Sequence, residues 1–91
     1  MATEADVLKQ IDAVLAKHKE LRSRSRWDDC SDQPSQDVTT IATLICDTIN
    51  RFAPAGSQYI GSMQSLQNKL GIENYAIIPH VAGVLTALRM A

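Results

Sequence analysis

The stretch SQDVTTIATLICDTINRFA, Ser35 to Ala53, admits two readings, and the choice between them settles the fold class. It is crowded with β-branched residues, which favour strands. Its apolar spacing says otherwise. Val38, Ile41, Ile45, Ile49 and Phe52 follow one another at intervals of three, four, four and three, the period of a helix, whereas strand alternation breaks at Ala42, Leu44 and Ile45. Ser35 suits an N-cap and Asp37 suits the positive end of a helix dipole. Pro54 then closes the element. A helix over 36–52 is predicted.

Working outward, the segment before it has Val7, Leu8, Ile11, Val14, Leu15 and Leu21 on one broad apolar stripe. Thr3 is placed to cap it. Acids come early, at Glu4 and Asp6, and cations late, so charge order complements the macrodipole at both ends. A helix over 4–23 follows. Between the two lies SRWDDCSDQPSQ, a linker without periodicity, rich in Ser, Asp and Gln and containing Pro34. Trp27 is costly to leave in water and is expected to fold back onto the bundle as an anchor.

Downstream, FAPAGSQYIGS (residues 52–62) has the punctuation of a phosphate-gripping loop. Such a cradle needs consecutive backbone amides over an anion, with a Lys and a Ser or Thr at fixed offset. There is no GK[ST] here, and the nearest downstream cation is Lys69. The stretch is a connector, in which Pro54 and Gly56 break one helix and Ser57 caps the next. Tyr59, Ile60, Met63, Leu66 and Leu70 mark a third helix over 58–70, with Gly71 as an αL stop. Pro79 is tolerated only in a first turn, so the last helix is expected over 78–91, with 74–77 as lead-in. The expected architecture is a single all-α domain of four helices.

Composition bounds the rest. Ninety-one residues make one domain, whose folding buries only about 60–65% of the surface its unfolded chain exposes. At 45% hydrophobic and 21% charged the chain is globular, and a net charge of −1 argues against a general nucleic-acid or membrane binder. No run approaches the roughly 18 apolar residues of a membrane span. The start MATEADVLKQ lacks the basic opening and apolar run of a signal peptide, so a cytoplasmic location is expected. Cys30 and Cys46 are too far apart for a CxxC motif and read as structural thiols, Cys46 packed and Cys30 in a loop.

The chemistry-bearing residues are sparse. Asp28, Asp29 and Asp32 lack the regular spacing and terminal Glu of a calcium loop, and read as a solvated acidic linker facing the basic end of the first helix. His18 and His80 lie on different helices, with no recognisable triad beside either. No catalytic residue, metal ligand or cofactor-binding loop is expected, and hence no cofactor and no enzyme. Lys17, Lys19, Arg22, Arg24 and Arg26 form a basic segment that could contact phosphate, but three aspartates follow directly and no aromatic stack interleaves. The stretch LQNKLGIENYAIIPHVAGVL has the outline of a helix-turn-helix. The N-terminal end of its second helix would be Ile77, Ile78, Pro79 and His80, where a reading helix carries polar or basic residues.

Three patterns in register carry a resemblance. They are S-D-x-P at 31–34, A-P-x-G-S-x-Y at 53–59 and A-G-V-L-x-A-L-R at 82–89. In this order, over about residues 28–89, the chain resembles the small N-terminal helical region of a group of uncharacterised bacterial proteins, in which the last helix continues into a larger helical domain. The resemblance implies a bacterial cytosolic protein and allows a chain extending beyond Ala91; it carries no catalytic residues across.

The favoured functional reading is a protein-interaction or assembly module. Its expected interface is Val81, Val84, Leu85, Leu88 and Met90, on a last helix without a closing Gly or Pro, serving self-association or docking to a following domain. The second reading is a nucleic-acid-associated regulatory domain using segment 17–26.

Overall fold

Helix boundaries follow the local chemistry closely. The structure, a computed structural model, describes residues 4–27, 30–71 and 75–90. Within them run α1 (Glu4–Ser23), α2 (Ser35–Phe52), α3 (Gln58–Leu70) and α4 (Ile77–Met90), with no strand among the described residues. The protein is an all-α four-helix domain. Thr3, the expected cap of α1, lies outside the described residues, as do Asp28, Asp29 and Ala91.

Three end signals differ from expectation. Pro34, not Ser35, takes the N-cap of α2. Its carbonyl accepts from the N–H groups of Asp37 (3.0 Å) and Val38 (3.2 Å), so Ser35 enters the first turn and makes no capping bond. Gly71 has the positive φ expected of it (+80°), but its ψ of 147° is extended and not αL. In α4, Pro79 sits in the first turn, where its missing N–H costs nothing, and the helix opens at Ile77, one residue early.

Packing widens the buried face of α2 beyond a single stripe. This helix contacts α1, α3 and α4, and α4 likewise contacts the other three, while α1 and α3 do not touch each other. A central α2–α4 pair is thus flanked on either side. Val38, Ile45 and Ile49 point inward as expected, but Ala42, Cys46 and Thr48 join them, and Ile41 and Phe52 remain only half-covered. Thr48 is accommodated because its hydroxyl donates to the Leu44 carbonyl at 2.7 Å. From the flanks come Ile11, Val14 and Leu21 of α1 and Met63 of α3. Ile77, Ile78, Val81 and Leu85 of α4 are completely buried.

This packing makes Ile45, completely buried, a sensitive position. Ile45→Ala should cost about 2–4 kcal/mol, the usual range for emptying such a site. Asn50→Ala, on the exposed side of the same helix, should stay within about 0.5 kcal/mol. Chemical denaturation of both variants checks which face is inward; a loss under about 0.5 kcal/mol at Ile45, the surface range, would contradict this packing.

Candidate functional site

Two surfaces stand out once the core is accounted for: the loop after α1 and the outward side of α4. The loop is densely bonded. The Arg22 guanidinium donates to the Ser25 carbonyl at 3.1 Å. The Ser25 hydroxyl donates to Asp32 Oδ1 and accepts from the Trp27 N–H at 3.0 Å. The Arg26 N–H donates to Asp32 Oδ2 at 3.0 Å, and Gln33 Nε2 donates to the Arg24 carbonyl at 2.9 Å. The Cys30 N–H closes onto the Trp27 carbonyl at 3.0 Å.

Two features show how tightly the loop is specified. Cys30 sits in the left-handed region (φ +59°), unusual for a residue with a Cβ, and its side chain is wholly buried. Asp32 is held below the usual carboxylate range, first by the Ser25 hydroxyl and then by the Arg26 N–H, both of which favour its charged form. Asp32 accepts from the Ser25 hydroxyl and the Arg26 N–H just after α1, whereas Asp28 and Asp29 lie outside the described residues.

Trp27 overturns its expected role. It is 60% exposed and anchors nothing in the core. The reason lies in the loop: Cys30 fills the inward position, and the bonds of Ser25 and Asp32 fix the backbone at Arg26 and Trp27 in an outward course. The flanking Arg24 and Arg26 are exposed as well. No sequence period marks this, although charged neighbours on both sides of the tryptophan were the available hint.

The basic segment does not form one patch. Lys17 and Lys19 are about 200° apart around the helix. Lys17 and Arg24 line a shallow groove of ≈370 Å³ between α1 and α2, where Glu20 and Asp37 sit beside them. Arg22 is half-buried and turned to the Ser25 carbonyl. Ile77 and Ile78, at the end of α4 that would enter a DNA groove in a helix-turn-helix, are entirely buried.

The expected interface on α4 is also redistributed. Val81 and Leu85 are in the core, and Val84 and Leu88 pack against it from its edge. Met90 alone of the five faces water, at 80% exposure. It projects from the opposite side of the helix, beside the exposed His80, Gly83, Thr86 and Ala87. The single charged residue of α4, Arg89, is paired with Asp12 of α1 (Nε to Oδ1, 2.7 Å).

His18 and His80 stay apart, one half-buried on α1 and the other exposed on α4. His18 Nε2 is buried without a hydrogen-bond partner among the described residues. Burial, and secondarily the Arg22 guanidinium, hold its pKa below the ordinary 6.5. Cys46 is raised by burial, against a smaller opposing hydrogen bond from Gln67, which leaves a protonated and weakly nucleophilic thiol. Among the described residues no group of three or more His, Cys, Asp or Glu could hold a metal ion, and no helix is long and apolar enough to cross a membrane. No family model, curated protein or solved structure matches the chain.

Two outcomes follow for the buried groups. Because folding lowers the His18 pKa, the unfolded chain takes up the proton first. The His18 contribution is therefore intact above about pH 6.5 and is eroded as pH falls below it. His18→Leu should flatten the melting-temperature profile across the histidine range of about pH 5–8 and lose little at neutral pH, since the orphaned nitrogen leaves with it. An unchanged slope would contradict the burial of this imidazole. Both thiols, being buried, should react with a thiol reagent only as fast as the chain opens, and mild denaturant should accelerate them together.

Proposed function

We propose that this chain is a protein-interaction or assembly module of a bacterial cytosolic protein, docking through the outward face of α4. The observation that carries the reading is the absence of charge on that face. Its exposed residues are His80, Gly83, Thr86, Ala87 and Met90. By contrast, the exposed positions of α1 include Lys9, Asp12, Lys17, Lys19 and Glu20. Thr86 adds little polarity, because its hydroxyl donates to the Ala82 carbonyl at 2.8 Å. Arg89 is turned to Asp12. A charge-free helix face with small residues at its centre lets a second helix approach closely, and Met90 adds an adaptable apolar contact at its end. The occupant in this reading is a second copy or a neighbouring domain. The bacterial cytosolic setting rests on the three-motif resemblance.

Light scattering at rising concentration tests the second copy. The wild type should associate, and Ala87→Glu should weaken association while leaving the monomer's melting almost unchanged, since position 87 is exposed. Gly83→Ala gives a finer measure. A Cβ there meets nothing within 4 Å, so the isolated fold should gain about 0.5–1 kcal/mol, while a closely packed dimer should loosen. A wild type that remains monomeric at high concentration would sink self-association through this face.

A further inference from the structure

Of the four helices, α3 commits the least to the core. α2 buries six side chains and α4 five, and α1 adds Ile11, Val14 and Leu21, whereas α3 buries Met63 alone. Tyr59, Ile60, Leu66 and Leu70 are only partly buried and lean on the core from its edge. Removal of apolar surface from water is the main force that holds a helix to its neighbours, so α3 has the least to lose on leaving. The helix is also weak in itself. Ser57 takes its N-cap position without making a capping bond, and the Ser57 Oγ is buried with no hydrogen-bond partner among the described residues. No acid in the first turn offsets the dipole. Gly61 stands inside the helix, where glycine gives up the most backbone freedom. A Cβ at that position would meet nothing within 4 Å, so packing does not demand the glycine. On either side the chain passes through a glycine with positive φ, Gly56 (+75°) and Gly71 (+80°).

We propose that α3 is a releasable strap, which detaches from the α2–α4 pair as a unit while α1, α2 and α4 stay folded. What remains is a closed set, because α1, α2 and α4 each touch the other two and α1 makes no contact with α3. Release of α3 therefore leaves every contact among the other three helices in place, and its free energy lies well below that of unfolding the domain. The groove between α2 and α3 shows what is bared. Cys46 of α2 and Met63 of α3 line it, both almost wholly buried, and Gln67 reaches across from α3 to bond the Cys46 thiol. With α3 released, Cys46 faces water while the interior of the three remaining helices does not.

Amide hydrogen exchange of the intact chain, read residue by residue, tests this. After correction for intrinsic rates, the α3 amides should exchange about tenfold or more faster than the slowest amides of α2 and α4, as expected of a separate opening. Two variants decide whether that opening is independent and whether it is cooperative. Ile11→Val removes one buried methyl from α1, which does not touch α3. It should speed the slowest α2 and α4 amides by roughly two- to tenfold and leave the α3 amides unchanged. Gly61→Ala should slow all the amides from Met63 to Leu70 together, by about two- to fivefold. Without denaturant, the labelling of Cys46 should follow the α3 amides: slower in Gly61→Ala and unmoved by Ile11→Val. Denaturant favours the opening that exposes most surface, and so brings both thiols onto the common rate of whole-chain opening. Equal acceleration of α2 and α3 amides by Ile11→Val would mean that α3 opens only with the whole domain, and would overturn the proposal. Slowing by Gly61→Ala confined to amides within one turn of position 61 would also overturn it, because that pattern is local fraying and not the release of a unit.

Discussion

The α2–α4 contact is the constraint on which the rest depends. Ile45 and Ile49 from one helix and Ile77, Ile78, Val81 and Leu85 from the other are wholly removed from water in one cluster. Six large aliphatic side chains are a substantial share of the core available to a 91-residue domain, which has little surplus burial to spend elsewhere. The pair therefore dictates where the flanks go. α1 and α3 each cover what the central pair leaves open, and neither needs the other.

Because the inward residues of α4 are committed to that core, its rotation is set, and its outward face follows as a remainder. Gly83, Thr86, Ala87 and Met90 face water by default, while the sole charge is drawn aside to Asp12. Such an ion pair at the surface is worth at most about 1 kcal/mol. Its larger effect is on what the face presents to a partner. The same logic applies to the loop after α1. Cys30 claims the inward position, and the hydrogen bonds of Asp32 and Ser25 hold the backbone N–H groups of Arg26 and Trp27.

Secondary structure was legible in the sequence to within a residue or two. The three-and-four spacing of Val38, Ile41, Ile45 and Ile49 outweighed β-branching, and Pro54 and Pro79 marked boundaries through chemistry that acts within one turn. Residues 53–57 connect α2 to α3 for the same reason. Interface residues were far less legible. Val81, Leu85 and Met90 look alike by hydropathy, yet two are core and one is exposed on the far side of the helix. A basic run contiguous in sequence was dispersed around a cylinder, because successive residues turn by about 100°.

The sequence by itself determined four helices, their ends to within a residue or two and the presence of an apolar face on each, since these rest on hydrogen bonding and steric limits within a few residues. Tertiary structure alone decided how many partners each helix has, and so how wide its buried face is. It widened α2 to include Ala42, Cys46 and Thr48, and it released Trp27 to solvent by seating Cys30 instead. Burial is a property of what lies opposite a side chain. Local spacing records which side chains point together, but only the assembled core determines which of them are covered.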